Sequence, residues 1–329
     1  MCSSDLGTAW FCCHCHFQSH RPNASARFTM ASLYTLLRLL YIAGALSKQS
    51  GLEMPVRVAL LQMDCSGKRE RNLARAEEMI REASDKKAQI LLLPEVFHEL
   101  FFITDLNSRY FELAEPIPGP ITDRMQELAR AFEVVIVVPI YERVDRSVYY
   151  NSAAVIDADG KLLGVYRKNH IPLNTIFFEK LYFKPGNLGY PVFNTRYGKV
   201  GLLICHDRHY PEGARALALN GAEIVLIPSA TPDKSLSRKV WEKELCAHAI
   251  FNEYFVGGLN RTGQEGAFFY YGRSVAFDPA GEMLAQAGEG EEVLLFDCDL
   301  DLITQRRRAW QFYRDRRPDT YGILTALVP

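Results

Sequence analysis

A cysteine that closes an apolar run and opens a polar one is a candidate nucleophile, and Cys205 stands in this way. Val200 to Ile204 reads as a buried strand, and Pro211-Glu212-Gly-Ala-Arg-Ala-Leu-Ala-Leu219 reads as the helix that follows. Proline and glutamate both suit a first helical turn. The sulfur is therefore expected at a strand-to-helix corner, near a positive helix end. That setting predicts a lowered thiol pKa and a reactive thiolate. The competing expectation is a packed, inert thiol, since cysteine is among the most buried residue types.

Two charged residues stand at the ends of other apolar runs. Ala88-Gln-Ile-Leu-Leu-Leu-Pro94 ends in Glu95, and a further strand ending near Tyr166 is followed by Lys168. In an α/β sheet the strand ends converge on one crevice where ligands bind. A carboxylate, an ammonium and a thiol could meet there. Taken singly, Glu95 is as well explained as a helix-start charge, and Lys168 as a solvated loop lysine. Three such residues at three strand ends are a stronger pattern than any one of them.

These segments resemble the carbon-nitrogen hydrolase (nitrilase) superfamily. The resemblance is carried by Leu91-Leu-Leu-Pro-Glu95, Tyr166-Arg-Lys168-Asn-His-Ile-Pro172 and Gly201-Leu-Leu-Ile-Cys205-His-Asp-Arg-His-Tyr-Pro-Glu212. Gly221 to Ser229, Asn252 to Arg261 and Trp310 to Tyr321 match as well, so that nearly all of 54–329 is covered. Within the superfamily the chain looks most similar to N-carbamoyl amide hydrolases of the β-ureidopropionase and N-carbamoylputrescine amidase type. The resemblance implies a catalytic Glu95, Lys168 and Cys205, with Glu179 as a second carboxylate. It implies a four-layer α-β-β-α sandwich that pairs as an α-β-β-α-α-β-β-α dimer, with a C-terminal dimerisation tail from about 305. It implies neither cofactor nor metal.

The chemistry expected of these residues is acyl transfer through sulfur. Glu95 acts as general base, Lys168 and the backbone N–H of His206 stabilise the oxyanion, and a carbamoyl-enzyme is hydrolysed by water. Arg208 lies three residues after the nucleophile, and a planar guanidinium suits a substrate carboxylate. That favours an N-carbamoyl-β- or α-amino acid, with His209 and His170 as further substrate contacts. A structural ion pair of Arg208 with Asp207 or Glu212 is the alternative, and His170 could equally be a hydrogen-bonded structural histidine. The tail Phe312 to Tyr321 points instead toward the carbamoylputrescine type. An amidase or nitrilase would use the same residues, and a silent binding or scaffold relative would keep the fold alone.

The elements that must position these groups alternate along the chain. Strand Val56–Gln62 precedes a helix over 72–87, in which Leu73, Ala76, Met79 and Ile80 mark one face. Strand Ile90–Leu93, a helix over 121–132 and a strand over 134–140 follow. Asn151–Ile156 and Lys161–Tyr166 read as a hairpin across Asp157-Ala-Asp159-Gly160. Beyond Cys205 come strand Glu223–Ile227, helix Ser237–Asn252, and strands Phe255–Leu259, Tyr271–Phe277 and Val293–Phe296. Lys and Arg number 38 against 39 Asp and Glu, so no basic surface points to nucleic acid, and no apolar run is a secure membrane span. Cys65, Cys205, Cys246 and Cys298 are scattered, which favours a reducing cytoplasm. Residues 1–53 hold Cys12 and Cys15 at CxxC spacing with Cys2, Cys13, His14, His16 and His20 nearby, so zinc is conceivable, but a second half with ordinary zinc-finger spacing is lacking. They are expected to be a poorly ordered, dispensable extension, with a single hydrolase domain over 54–329 that works as a homodimer or larger homo-oligomer.

Overall fold

The computed structural model describes residues 54–173, 177–233 and 236–327. The N-terminal cysteines and the extension lie outside the described residues. The first half builds one sheet from β1 (Val56–Gln62), β2 (Ile90–Leu92), β3 (Val135–Asp145), β4 (Val148–Ile156) and β5 (Leu162–Arg167). Helix α1 (Arg69–Asp85) links β1 to β2, and α2 (Pro120–Phe132) links β2 to β3. The strands of each pair they join run parallel and adjacent. A short helix, α3 (Glu179–Tyr182), follows the sheet.

The second half builds another sheet. It contains β6 (Val192–Thr195), β7 (Gly198–Leu202), β8 (Ile224–Ser229) and β9 (Phe255–Asn260), with α4 (Pro211–Leu219) after β7 and α5 (Ser237–Asn252) after β8. A hairpin of β10 (Thr262–Glu265) and β11 (Phe268–Tyr271) follows. β12 (Val275–Phe277) and β13 (Met283–Gln286) then complete the second sheet at one edge. β14 (Glu292–Cys298) returns to the first sheet beside β1, and α6 (Asp301–Ala309) ends the regular structure. Each sheet has six strands, ordered β14-β1-β2-β3-β4-β5 and β13-β12-β9-β8-β7-β6.

Alternation along the strands decides the layering, because successive side chains point to opposite faces. In β2, Ile90 and Leu92 face Val200, Leu202 and Leu226 of the other sheet, while Leu91 faces Ala76, Met79 and Ile80 of α1. In β8, Ile224 and Leu226 point inward, while Val225 and Ile227 pack on Leu217 of α4 and on Trp241 and Leu245 of α5. The apolar runs that read as strands are therefore buried on both faces, as parallel strands covered by helices must be. The result is an α-β-β-α sandwich.

One expected strand is broken. Tyr271–Phe277 reads as a single run, but Gly272 and Arg273 adopt left-handed backbone with φ of 62° and 55°. At Gly272 an added Cβ would lie 2.5 Å from the Gln62 amide nitrogen, so only glycine admits that side chain. The run divides into β11, which pairs with β10, and β12, which joins the sheet. β6, β10, β13, α3 and α6 are additions to the elements read from the sequence.

Candidate active site

Four sequence-predicted groups converge where the ends of the two sheets meet. Glu95 stands just past β2, Lys168 just past β5, Glu179 opens α3, and Cys205 follows β7. Glu95 and Lys168 are fully buried, and Glu179 is 2% exposed. The Lys168 Nζ donates to Glu95 Oε1 at 2.9 Å and to Glu179 Oε2 at 2.7 Å. Glu95 Oε1 also accepts from Asn151 Nδ2 at 2.7 Å, and Oε2 accepts from the backbone N–H of Ala230 at 2.8 Å. One carboxylate is thus held by a residue on β4 and by residues just past the ends of β5 and β8, from both sheets.

Burial sets the electrostatics. Burial alone would lower the Lys168 pKa, but the carboxylates of Glu179 and Glu95 outweigh it and hold the ammonium form well above the lysine range. Burial pushes Glu179 up to about 7, against the lowering effect of Lys168 and with the help of the Glu95 charge. Two carboxylates share one ammonium, and Glu179 is the one that burial inclines to hold a proton.

The Cys205 thiol departs from expectation. Its pKa is raised, first by burial and then by the Glu95 charge, and Lys168 and Arg208 offset this only in part. The reason is local geometry. A 3₁₀ turn over Cys205–His209 separates the sulfur from α4, which begins only at Pro211, so the thiol does not sit on the helix terminus. Cys205 itself has φ of 47°, a left-handed conformation that a non-glycine residue adopts at some cost. Its Sγ lies 3.8 Å from Thr231 Oγ1 and 3.8 Å from Arg208 Nη1.

Asp207 holds this corner in shape. Its Oδ2 accepts from Tyr166 Oη at 2.6 Å and from the Ile204 N–H at 3.1 Å. Its Oδ1 accepts from the His170 N–H and meets His170 Nδ1, both at 2.8 Å. The His170 ring stacks on Tyr210 with centroids 3.7 Å apart. His206 lies between Tyr210 and His209, and burial, with Lys168 next in weight, lowers its pKa to about 4, so the ring is neutral near pH 7.

Arg208 has partners other than those expected. It is 2% exposed, and Nη1 donates to the Cys205 carbonyl at 2.8 Å. Its ion pair is with Glu244 of α5, at 3.3 Å, rather than with Asp207 or Glu212. His209 Nδ1 meets the same carboxylate at 2.8 Å. Trp241 covers the guanidinium, and His248 Nε2 donates to the Arg208 carbonyl at 2.7 Å. Arg208 is therefore a buried, compensated arginine beside the nucleophile, not an open fork. Asn151, Thr231, Asp207 and Glu244 are site residues that single-sequence reasoning missed. Only Thr231 carries a signal, since it follows an apolar run that ends at Pro228-Ser229.

Among the described residues no three His, Cys, Asp or Glu side chains are grouped to hold a metal ion, and no helix is long and apolar enough to cross a membrane.

A sandwich whose strand ends gather a buried carboxylate pair, a lysine and a cysteine defines a class of hydrolases that act on carbon–nitrogen bonds. The carbon-nitrogen hydrolase family model matches residues 57–308, and the chain belongs to that family. It is 42% identical to N-carbamoylputrescine amidase of Solanum lycopersicum, over 83% of this chain and 95% of that protein. It is 38% identical to β-ureidopropionase of Arabidopsis thaliana, over 72% of this chain and 62% of that protein. Among solved structures, a carbon-nitrogen hydrolase from Helicobacter pylori G27 superposes with a TM-score of 0.80 at 34% identity, covering 83% of this chain and 99% of that one. The chain is thus a hydrolase of carbon–nitrogen bonds other than peptide bonds.

Proposed function

We propose that the protein hydrolyses an N-carbamoyl amide through a covalent intermediate on Cys205. The observation that carries this reading is the buried Glu95–Lys168–Glu179 cluster at the strand ends that also present Cys205. Glu95 takes the thiol proton as sulfur attacks the ureido carbon, which is why a raised thiol pKa is no obstacle: deprotonation accompanies attack. The carbonyl electrons move to oxygen. Lys168 and the His206 N–H receive that charge, each worth about 3–4 kcal/mol. The tetrahedral species collapses, Glu95 returns the proton, and ammonia leaves. Water, deprotonated by Glu95 or Glu179, then attacks the S-carbamoyl carbon. The sulfur leaves as thiol, and the released carbamate loses carbon dioxide to give the free amine.

The substrate we favour is an N-carbamoyl-β- or α-amino acid. The Arg208 guanidinium lies 3.8 Å from the sulfur, so a substrate carboxylate that displaces Glu244 from it would find a planar donor set beside the nucleophile. A second reading, N-carbamoylputrescine, is favoured by Glu244, whose side chain is 25% exposed and already neutralises Arg208. The likeness to the tomato enzyme supports it too. A panel of N-carbamoyl-β-alanine, N-carbamoyl-D- and L-amino acids, N-carbamoylputrescine and simple amides, assayed for ammonia and carbon dioxide, separates these. Equal release of both gases supports the carbamoyl reading, and ammonia alone from every substrate refutes it. Arg208→Gln should lose the acids selectively, and Glu244→Gln the amine. An equal loss of all substrates would defeat the carboxylate argument.

A further inference from the structure

Asn260 and Arg261 end and follow β9, and none of the chemical steps above uses them. Arg261 is fully buried, so it carries no charge to a substrate. Its Nη2 donates to the carbonyl of Glu95 at 2.5 Å and to that of Val96 at 3.0 Å. Its Nη1 donates to Glu265 Oε1 at 2.6 Å and to the Glu99 carbonyl at 3.3 Å. Glu265 is fixed in turn, since its Oε2 accepts the Phe101 N–H at 2.6 Å. The guanidinium lies 5.2 Å from the Phe101 ring and 5.5 Å from the Tyr270 ring.

The turn so gripped is strained. Val96 has φ of 49°, and a β-branched residue in the left-handed region is a genuine outlier. Such a conformation persists only where its surroundings over-determine it. Three carbonyls of one turn, at Glu95, Val96 and Glu99, converge on one planar donor set supplied by the opposite sheet. The neighbouring Asn260 secures the other side of the carboxylate. Its Oδ1 accepts from the Thr231 N–H at 2.8 Å and its Nδ2 donates to the Thr231 carbonyl at 3.0 Å. Thr231 adjoins Ala230, whose N–H holds Glu95 Oε2.

We infer that Arg261 is a positioning residue for the Glu95 carboxylate, acting through the strained Glu95–Val96 turn. This rests on the reading of Glu95 as the base. A carboxylate displaced by about 1 Å from the thiol loses on the order of 10²-fold in rate, while substrate contacts elsewhere are untouched. Disturbing the clamp therefore falls on kcat rather than KM.

The test compares kcat, KM and thermal unfolding for the wild type, Arg261→Lys, Val96→Gly, their double variant, Glu265→Gln and Glu95→Gln. Arg261→Lys, which loses the fork but keeps the charge, should lower kcat by about 10²-fold with KM little changed. Adding Val96→Gly should restore part of that kcat, because glycine adopts the left-handed turn without the clamp. Glu265→Gln should give a smaller loss of the same kind. A folded Arg261→Lys with wild-type kcat, a loss confined to KM, or strict additivity with Val96→Gly would each overturn the inference. Should Arg261→Lys not fold, Glu265→Gln decides, and wild-type kcat there refutes it. Full turnover by Glu95→Gln would instead sink the reading of Glu95 as base.

Discussion

At the scale of single residues, the site is a problem of where protons rest. The free thiol of Cys205 is held protonated by burial and the Glu95 charge. Its alkylation by iodoacetamide, followed by peptide mass mapping, should stay slow up to pH 9.0, the ordinary thiol value; rapid modification at neutral pH would mean a resting thiolate. Cys205→Ala should abolish turnover, as release of ammonia from the panel would report, and Lys168→Met should cost about 3–5 kcal/mol of stability by leaving two buried carboxylates without their cation. Glu179 gives a signed pH effect. It binds its proton more tightly in the folded chain, at about 7, than at the ordinary 4.5 of an unfolded one. The folded state therefore holds the extra proton between those values, and this group's contribution to stability falls as pH rises through the window. Glu179→Gln removes that slope, so urea midpoints should shift in the variant's favour from pH 4.5 toward 7; parallel curves would refute this. The strand-end positions of Glu95, Lys168 and Cys205 were legible because each charged or reactive type stands at or within two residues of the end of an apolar run. The thiol's raised pKa was not, because it depends on a 3₁₀ turn and on burial depth, neither of which leaves a spacing signal. Nor was the Arg208–Glu244 pair, which joins residues on different elements.

Elements carry the next set of consequences. The order of strands and helices was readable over most of 54–299, because parallel strands covered on both faces give short apolar runs and the helices between them keep one apolar stripe. α5 was legible at both ends and β1 likewise. What escaped were edge strands such as β6 and β13, whose partial exposure dilutes the apolar pattern. The Gly272–Arg273 break escaped because its cause, the Gln62 side chain, comes from the far end of the chain. Close approach also fixes α5 against β9. Gly257 and Gly258 point to opposite faces: a Cβ on Gly257 would lie 2.9 Å from Leu226 between the sheets, and one on Gly258 would collide with Leu245 of α5. Gly258→Ala should therefore cost about 1–3 kcal/mol in chemical denaturation. It should also lower kcat, because α5 carries Glu244 and His248, which hold Arg208. Unchanged stability would show that α5 can move outward freely.

For the whole molecule, the described strands begin at Val56, and after α6 the chain continues through Tyr313, which packs against the core beside α5. Arg307 donates to Tyr313 Oη at 3.1 Å, and that hydroxyl reaches the Asn252 carbonyl. Beyond it Ile323 is 79% exposed and Leu327 96%. A chain starting at Met54 should keep full kcat and melting temperature, and loss of either would assign residues 1–53 a part in the enzyme. We propose that two copies pair through the C-terminal tail: the full chain should then sediment as a dimer and a chain ending at Ala309 as a monomer, and a full-length monomer would dispose of the paired assembly. One further consequence follows from the origin of the reacting groups. Acid and ammonium hang from one β-sheet, sulfur and the Thr231 hydroxyl from the other, and the greasy filling between them sets their alignment. Leu226→Ala, at the middle of that filling and remote from any substrate, loosens one slab against its mate. Catalytic rate should then behave as a vernier of slippage, declining at temperatures where calorimetry still registers an intact protein.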